Sequence, residues 1–535
     1  MHTAPEDEIM PFRSLYPDVS IPQTSLTRFV LQGAPARGDK PALIDGPSGR
    51  TITYAQLPAL VARVAAGLAA RGFKKGQRFA IYSPNVPEYA IAFHAIASLG
   101  GVVTTVNPLY TAAELAKQLN DSQARFLLTV PPFLANAREA AAQSKVEEIF
   151  VFGEAEGATP FAALLAPNPA APDVAIDPNK DLVALPYSSG TTGLPKGVML
   201  THYNLVAQLC SLKGVTDAEL ITPTDTVLAF LPFFHIYGIV AFLNYSLFQG
   251  ATVVTMPRFD LEQYLQLVEK YGVTIMHVVP PIALALAKHP IVDNFNLTKV
   301  RGAFSAAAPL SDTVANALFA RVGFRVSQAY GMTEVSGASH LGPTAPDKIK
   351  PASGGRLMPN MECKIVDVGT HNEVPTGEQG EILVRGPIVM QGYLGQAGAT
   401  AATVDADGWL RTGDIGYVDK DGDFFIVDRT KELIKYKGLQ VAPAELEAVL
   451  LGNPAIADAC VIGVADEEAG EVPKAFVVKK GEISADEVLA WVAARVAPHK
   501  KVRSVEFTDQ LPKSATGKLL RRVLIERERS AAGVH

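Results

Sequence analysis

Through about Pro351, apolar positions repeat at helical spacing and then give way to short β-branched runs. The pattern predicts a helix over Leu57–Ala70 before a strand over Arg78–Tyr82, and a helix over Glu88–Ser98 before a strand over Gly101–Thr105. It predicts the same pairing for Leu261–Tyr271 with Val273–Val278, and for Asp312–Ala320 with Phe324–Ser327. Such alternation implies a parallel or mixed sheet with helices on both faces. Beyond Pro351 the pattern changes to Gly-punctuated strands, Glu381–Arg385, Gly413–Asp419 and Asp423–Val427. The last two are joined by the hairpin turn Asp421-Gly422. From Thr430 it changes again. A strand over Glu432–Tyr436 leads to a helix whose first turn, Pro443-Ala-Glu-Leu-Glu447, holds proline and two acids. Strands over Val472–Lys479 and Lys501–Phe507 flank a helix over Ala485–Val496. The boundary is predicted at Arg429–Lys431, dividing the chain into 1–429 and 430–535.

One stretch invites a different reading. Thr226–Pro257 carries no formal charge, and Val227–Phe248 is long enough to cross a bilayer. It also holds Pro232, His235, Tyr237, Gly238 and Asn244 and runs straight into a strand-like segment, so it is predicted to be buried core with no membrane span.

Composition narrows the class. At 535 residues, 48% hydrophobic and 19% charged, the chain is globular and too long for one ordinary core. A net charge of −6 argues against a nucleic-acid binder, and the basic stretch Arg495–Arg529 has no interleaved stacking aromatics. Cys210, Cys363 and Cys460 stand far apart in no metal-ligand spacing. With an acidic, polar opening and no Ser-Lys-Leu ending, they imply a reduced, cytoplasmic setting.

The chemistry begins at Tyr187-Ser-Ser-Gly-Thr-Thr-Gly-Leu-Pro-Lys-Gly197. Its glycines let successive N–H groups turn into one anion-binding concavity; Ser188, Ser189, Thr191 and Thr192 add hydroxyls, and Lys196 adds a charge. The spacing is not that of P-loop NTPases.

This run resembles the phosphate-binding signature of the adenylate-forming superfamily, which includes acyl-CoA synthetases, amino-acid adenylation domains and beetle luciferases. Further signatures follow in order: Leu231–Gly238, Gln328-Ala-Tyr-Gly-Met-Thr-Glu334, Gly380–Tyr393, Arg411-Thr-Gly-Asp414, Asp428–Gly438 and Pro512–Lys518. The resemblance implies an α/β fold with a large N-terminal domain of two helix-flanked sheets plus a β-barrel-like subdomain. A small, mobile α+β C-terminal domain follows, swinging about a hinge at Lys431.

It also implies ATP, Mg²⁺ and coenzyme A as cofactor and co-substrates, and gives the residues roles. Ser188, Ser189, Gly190, Thr191, Thr192, Gly193 and Lys196 would hold phosphates. Gln328, Ala329, Tyr330, Gly331 and Thr333 would complete the nucleotide site, and Glu334 would hold the metal. Asp414, with Arg429, would take the ribose hydroxyls. Lys518 would drive adenylation, with His235 beside the acyl carboxylate. After domain rotation, Lys435 and Gln440 would approach the adenylate, and Arg258, Lys437 and Gly438 the coenzyme A tail. Strand geometry lets Lys435 and Lys437 share one face.

Within the superfamily the resemblance is greatest to 4-coumarate–CoA ligases and their bacterial relatives, on Phe234-His-Ile-Tyr237 and Tyr436–Glu447. Their acid pocket maps onto Tyr237, Ser305, Ala306, Ala307, Gly331, Gly337 and Ala338. Two departures bear on the acid. Ala306 adds a methyl where the family often has glycine, and Val335-Ser-Gly-Ala338 is smaller than the Ala-Gly-Pro-Val of plant enzymes. A hydroxycinnamate or similar aryl acid is favoured over a medium-chain fatty acid. A carrier-protein-loading adenylation enzyme and a non-catalytic adenylate-binding protein are the other readings. The oligomeric state, monomer or homodimer, is left open.

Overall fold

Strand Val102–Val106 is buried at every position, the mark of a strand covered on both faces. It lies in a nine-stranded sheet beside Arg78–Tyr82, which in turn pairs in parallel with Ala124–Thr129. Their neighbours are Glu148–Val151 on one side and Leu182–Ala184 and Lys196–Thr201 on the other. The computed structural model describes residues 10–531 except 168–170, 189–194, 219, 431, 437–438, 467 and 515–516.

In a second, fourteen-stranded sheet, a parallel run follows the antiparallel edge strand Thr51–Thr53. Pro41–Asp45, Thr252–Thr255, Thr226–Ala229, Ile275–Val278, Gly302–Ser305 and Val326–Met332 lie side by side in that order. At Val326–Met332 the sheet turns antiparallel and continues through Gly337–Leu341, Gly355–Leu357, Asp423–Arg429, Leu410–Val418, Gly380–Arg385 and Glu362–Val366. Helices Gln56–Ala70 and Pro87–Ser98 pack on each other, and one hydrophobic core unites both sheets. The uncharged stretch folds into that core: strand Thr226–Ala229, a wide helical segment Ile239–Ser246 buried throughout, and strand Thr252–Thr255. Among the described residues no helix is long and apolar enough to cross a membrane.

The C-terminal part has a core of its own, built from Ile434, Val441, Leu446, Val461, Val477 and Val488 among others. Its sheet centres on Gly470–Lys479, flanked by Ile434–Tyr436, Ser504–Phe507 and the long strand Ile456–Asp466. Several contacts bind it to the rest. Ile415 packs with Leu433 and Ala442. The buried Asp428 carboxylate accepts from Arg429 N–H (2.7 Å) and from Ala444 N–H (3.0 Å), at the start of helix Pro443–Leu451. Arg521 donates to Glu432 (2.5 Å) and Glu447 (2.6 Å), while Glu447 accepts from Val461 N–H (2.8 Å).

Several strands start later than the pattern predicts. Val273 N–H closes back on Val268 C=O after Gly272 ends the helix with φ 58°, so the strand begins at Ile275. Glu432 and Leu433 N–H both turn back to Arg429 C=O, which delays that strand to Ile434.

Candidate active site

The Gly- and hydroxyl-rich run expected to bind phosphate is bounded by a pair of antiparallel strands. Ser188 pairs with Lys196 and Tyr187 with Gly197, bringing both ends of the loop together; Ser189, Gly190, Thr191, Thr192 and Gly193 lie outside the described residues. Ser188 Oγ donates to Glu334 Oε1 at 2.7 Å, and Tyr393 Oη donates to the same oxygen at 2.9 Å. The Lys196 ammonium stands 5.1 Å from the Tyr393 ring centroid. Thr333 and Glu334 are both buried. Two hydroxyls from separate segments thus meet on one carboxylate oxygen, with the Lys196 ammonium over the Tyr393 ring. Tyr393 was not singled out from the sequence, although it closes the Gly380–Tyr393 run. A carboxylate flanked by hydroxyl oxygens suits a hard divalent ion, whose remaining ligands would be water and phosphate oxygen. Among the described residues there is no cluster of three or more metal-ligating side chains.

The residues expected to meet the nucleoside stand on facing strands. Asp414, buried at 4% exposure, pairs across the ladder with Arg429, whose Nε is 3.1 Å from Oδ1. Tyr330 Oη donates to Oδ2 at 2.7 Å. Burial raises the Asp414 pKa, opposed by the Arg429 charge and the Tyr330 hydrogen bond. Gln328 is also buried, but its amide holds Leu310 from both sides, accepting from its N–H (2.8 Å) and donating to its C=O (3.1 Å). That clamp fixes the Ser305–Leu310 loop, in which Ala307 takes φ 75°, a left-handed conformation unusual for a residue with a β-carbon. Ala329 and Gly331 lie on the strand that follows. A β-carbon on Gly331 would stand 1.9 Å from Gly337 C=O, so only glycine fits. Register places Gly331 opposite Ala338 and Met332 opposite Gly337, which brings the nucleotide and acid signatures onto neighbouring strands.

At the acid end His235 caps a short helix, its Nδ1 accepting from Tyr237 N–H at 3.2 Å. Burial and the Lys518 charge push its pKa down to about 4, so the ring is neutral at physiological pH. Tyr237 Oη lies 3.0 Å from His277 Nδ1 and 3.4 Å from Phe304 C=O. Ser305 is fully buried on the adjoining strand, Ala306 is half-buried and Ala307 is exposed. His277, buried under Tyr237, carries no sequence signal. It reads as one polar residue in an apolar strand.

Lys518 reaches this cleft from the C-terminal part. Burial pushes its pKa down to about 8, with Arg429 and Arg521 in the same direction and Glu432 and Asp414 opposing. Gly517, at φ 78°, sits with its would-be β-carbon 3.3 Å from the Pro281 side chain. The Lys518 loop therefore lies against the large domain. Lys435, by contrast, is exposed, and its N–H donates to Glu471 Oε2 at 2.8 Å. Its backbone pairs with Gln440, whose side chain lies outside the described residues together with Lys431, Lys437 and Gly438. Arg258 is exposed.

A cleft that sets Lys518 and Arg429 near the buried carboxylate Asp414, and Ser188 and Tyr393 on the buried carboxylate Glu334, suits a nucleotide-dependent, acid-activating class of enzyme. The profile of the family described as AMP-binding enzyme matches residues 31–394, and that of the AMP-binding enzyme C-terminal domain matches 445–518. The chain belongs to this AMP-binding enzyme family. More particularly, it is 43% identical to 4-coumarate–CoA ligase 5 of Oryza sativa subsp. japonica, covering 100% of this chain and 99% of that protein. It is 41% identical to 4-coumarate–CoA ligase 1 of Petroselinum crispum, covering 99% and 98%. In structure it resembles the anthranilate CoA ligase AuaEII in complex with anthranoyl-AMP (TM-score 0.88, 27% identity, 96% and 99% covered). It likewise resembles ATP-bound MatB from Rhodopseudomonas palustris (TM-score 0.84, 29% identity, 95% and 100% covered).

Proposed function

We propose that this enzyme joins 4-coumarate, or a closely related hydroxycinnamate, to coenzyme A by way of an acyl-adenylate formed from ATP. The observation that carries the reading is the position of Lys518, half-buried between the Asp414–Arg429 pair and the neutral His235.

A carboxylate must approach the α-phosphate, and both are anions. Fixed cations and N–H or O–H dipoles offset that repulsion best where burial excludes water. Lys518 supplies the movable charge, and Arg429 the fixed one. Asp414, held by Tyr330 and Arg429, accepts from the ribose hydroxyls and sets the nucleotide's register. The Tyr187–Gly197 loop, with Ser188 and Lys196 at its described ends, holds the outer phosphates. Glu334 would hold Mg²⁺, which supplies charge neutralisation of the departing pyrophosphate. His235, neutral and held through Nδ1, turns Nε2 toward the acyl carboxylate without adding a positive charge.

In the second half-reaction the thiol attacks the acyl carbon and AMP leaves. Lys435 stands on the exposed surface in the present arrangement, so it reaches the adenylate only after the C-terminal domain turns about Lys431. Residues 1–429 and 430–535 act as the two rigid parts of that motion. Arg258, Lys437 and Gly438 then line the coenzyme A route. The setting is cytoplasmic, where free coenzyme A and ATP are available.

The test is thioester formation with ATP, Mg²⁺ and coenzyme A against cinnamate, 4-coumarate, caffeate, benzoates, hexanoate, octanoate and laurate, read as product mass. Preference for the hydroxycinnamates is expected. Preference for the alkyl acids would overturn the substrate, and adenylate without thioester would overturn coenzyme A as acceptor.

A further inference from the structure

Helix His202–Gly214 begins where strand Lys196–Thr201 ends, and each of its buried polar side chains but one has at least one partner, although His202 Nε2 has none. Thr201 and Asn204 form a reciprocal cap, and Asn204 Nδ2 donates to Pro387 C=O (2.9 Å) and Val389 C=O (3.0 Å). Ser211 Oγ donates to Pro359 C=O at 3.1 Å, and His202 Nδ1 accepts from Leu26 N–H at 3.0 Å. Gln208 is different. Its side chain is fully buried (0% exposed), yet neither its carbonyl oxygen nor its amide nitrogen has a partner. Among the described residues it is the only side chain with two such atoms.

A buried amide left unpaired is destabilising, so a chain keeps one where something else satisfies it. The direction of this amide shows what that is. Its Cδ and Nε2 lie 3.5 and 3.6 Å from where a β-carbon on Gly337 would stand, and Val240 Cγ2 lies 3.2 Å from the same point. Gly337, at φ 130°, puts no side chain between the amide and its strand. The fully buried amide thus packs against the strand that carries the acid-pocket positions Gly337 and Ala338, next to Gly331.

We infer that Gln208 is a specificity-determining residue, whose amide hydrogen-bonds the ring hydroxyl of a phenolic acid at the far end of the pocket. This rests on the hydroxycinnamate reading above and names a group that would recognise the ring. The chemistry matches in both directions. A phenol donates one hydrogen bond and accepts another, and a primary amide offers Oε1 to the first and Nε2–H to the second. Tyr237 does not compete for this role, because its hydroxyl is engaged by His277. An unsubstituted ring or an alkyl chain would leave both amide atoms unpaired, and sites built to bond a hydroxyl reject analogues lacking it far more strongly than apolar pockets do.

The test compares wild type with Gln208→Met and Gln208→Leu, measuring kcat/KM for 4-coumarate and cinnamate and the melting temperature of the ligand-free protein. In both variants 4-coumarate is expected to lose about 10- to 100-fold in kcat/KM, with cinnamate changed less than about threefold. The melting temperature is expected to hold or rise, because an unpaired buried amide has been removed. A wild type that prefers 4-coumarate, with variants that keep the preference, would overturn the role of Gln208 alone. So would equal loss on both acids with a lower melting temperature, which marks a structural glutamine. A wild type that makes neither thioester would instead overturn the acid assignment itself.

Discussion

Two lysines of the C-terminal part stand in opposite surroundings. Lys518 is half-buried in the cleft, its pKa pushed down to about 8 and its loop set against Pro281. Lys435 lies on an exposed strand, with its backbone bonded to Glu471. One lysine is desolvated among nucleotide-site residues while the other stands in water. On the proposed function, the contrast assigns each lysine to its own half-reaction, and the arrangement here to adenylate formation. The contacts of Asp428 with Ala444 N–H and of Ile415 with Leu433 and Ala442 would then have to part before Lys435 is used.

The largest expected effect that would sharpen this contrast comes from Lys518→Ala. Adenylate formation, followed by ATP–pyrophosphate exchange, is expected to fall about 10³-fold, the scale for removing one charge aimed at a transition state. Less than a tenfold loss would break the contrast. Next, Glu334→Gln removes the carboxylate that Ser188 and Tyr393 hold, and exchange is expected to fall on the order of 100-fold with a raised Mg²⁺ requirement. An unchanged Mg²⁺ dependence would remove Glu334 from the metal role.

A pH series comes third. Lys518 must be charged to act, and its pKa is lowered, so the charged form is lost as pH rises through about 8. kcat/KM for adenylation, which reports the free enzyme, is expected to drop about tenfold per unit above that value; a flat profile to pH 9.5 would contradict it. The smallest effect is that of Asp428→Ala. It takes away the acceptor for two N–H groups at the junction and is expected to lower stability by about 1–2 kcal/mol, read by thermal melting. It is also expected to slow adenylation a few-fold without slowing thioester formation.

Much of this was legible in the sequence, for physical reasons. Arg78–Tyr82 and Leu261–Tyr271 were predicted with the bounds observed, because one is a strand buried across its length and the other a strongly amphipathic helix between Asp260 and Gly272. Strand Ile456–Asp466 went unread, since Asp458, Gly463 and Asp466 interrupt its apolar pattern and only pairing with Gly470–Lys479 establishes it. The candidate site residues stood out because a loop that would hold phosphate needs glycine and hydroxyls close together in the chain. What was hidden depends on contacts between distant segments. Tyr393 meets Glu334 across 59 residues, and Gln328 turns out to grip Leu310. Gln208 sits in a helix where a glutamine reads as an ordinary polar position, and only burial without a partner reveals it.

The most direct test gives Lys518→Ala and Lys435→Ala pre-formed 4-coumaroyl-adenylate and coenzyme A and measures thioester release. The account predicts that Lys518→Ala releases thioester within a few-fold of wild type, while Lys435→Ala is about 100-fold slower yet still makes adenylate from ATP at the normal rate. Equal loss of both half-reactions in both variants would contradict it.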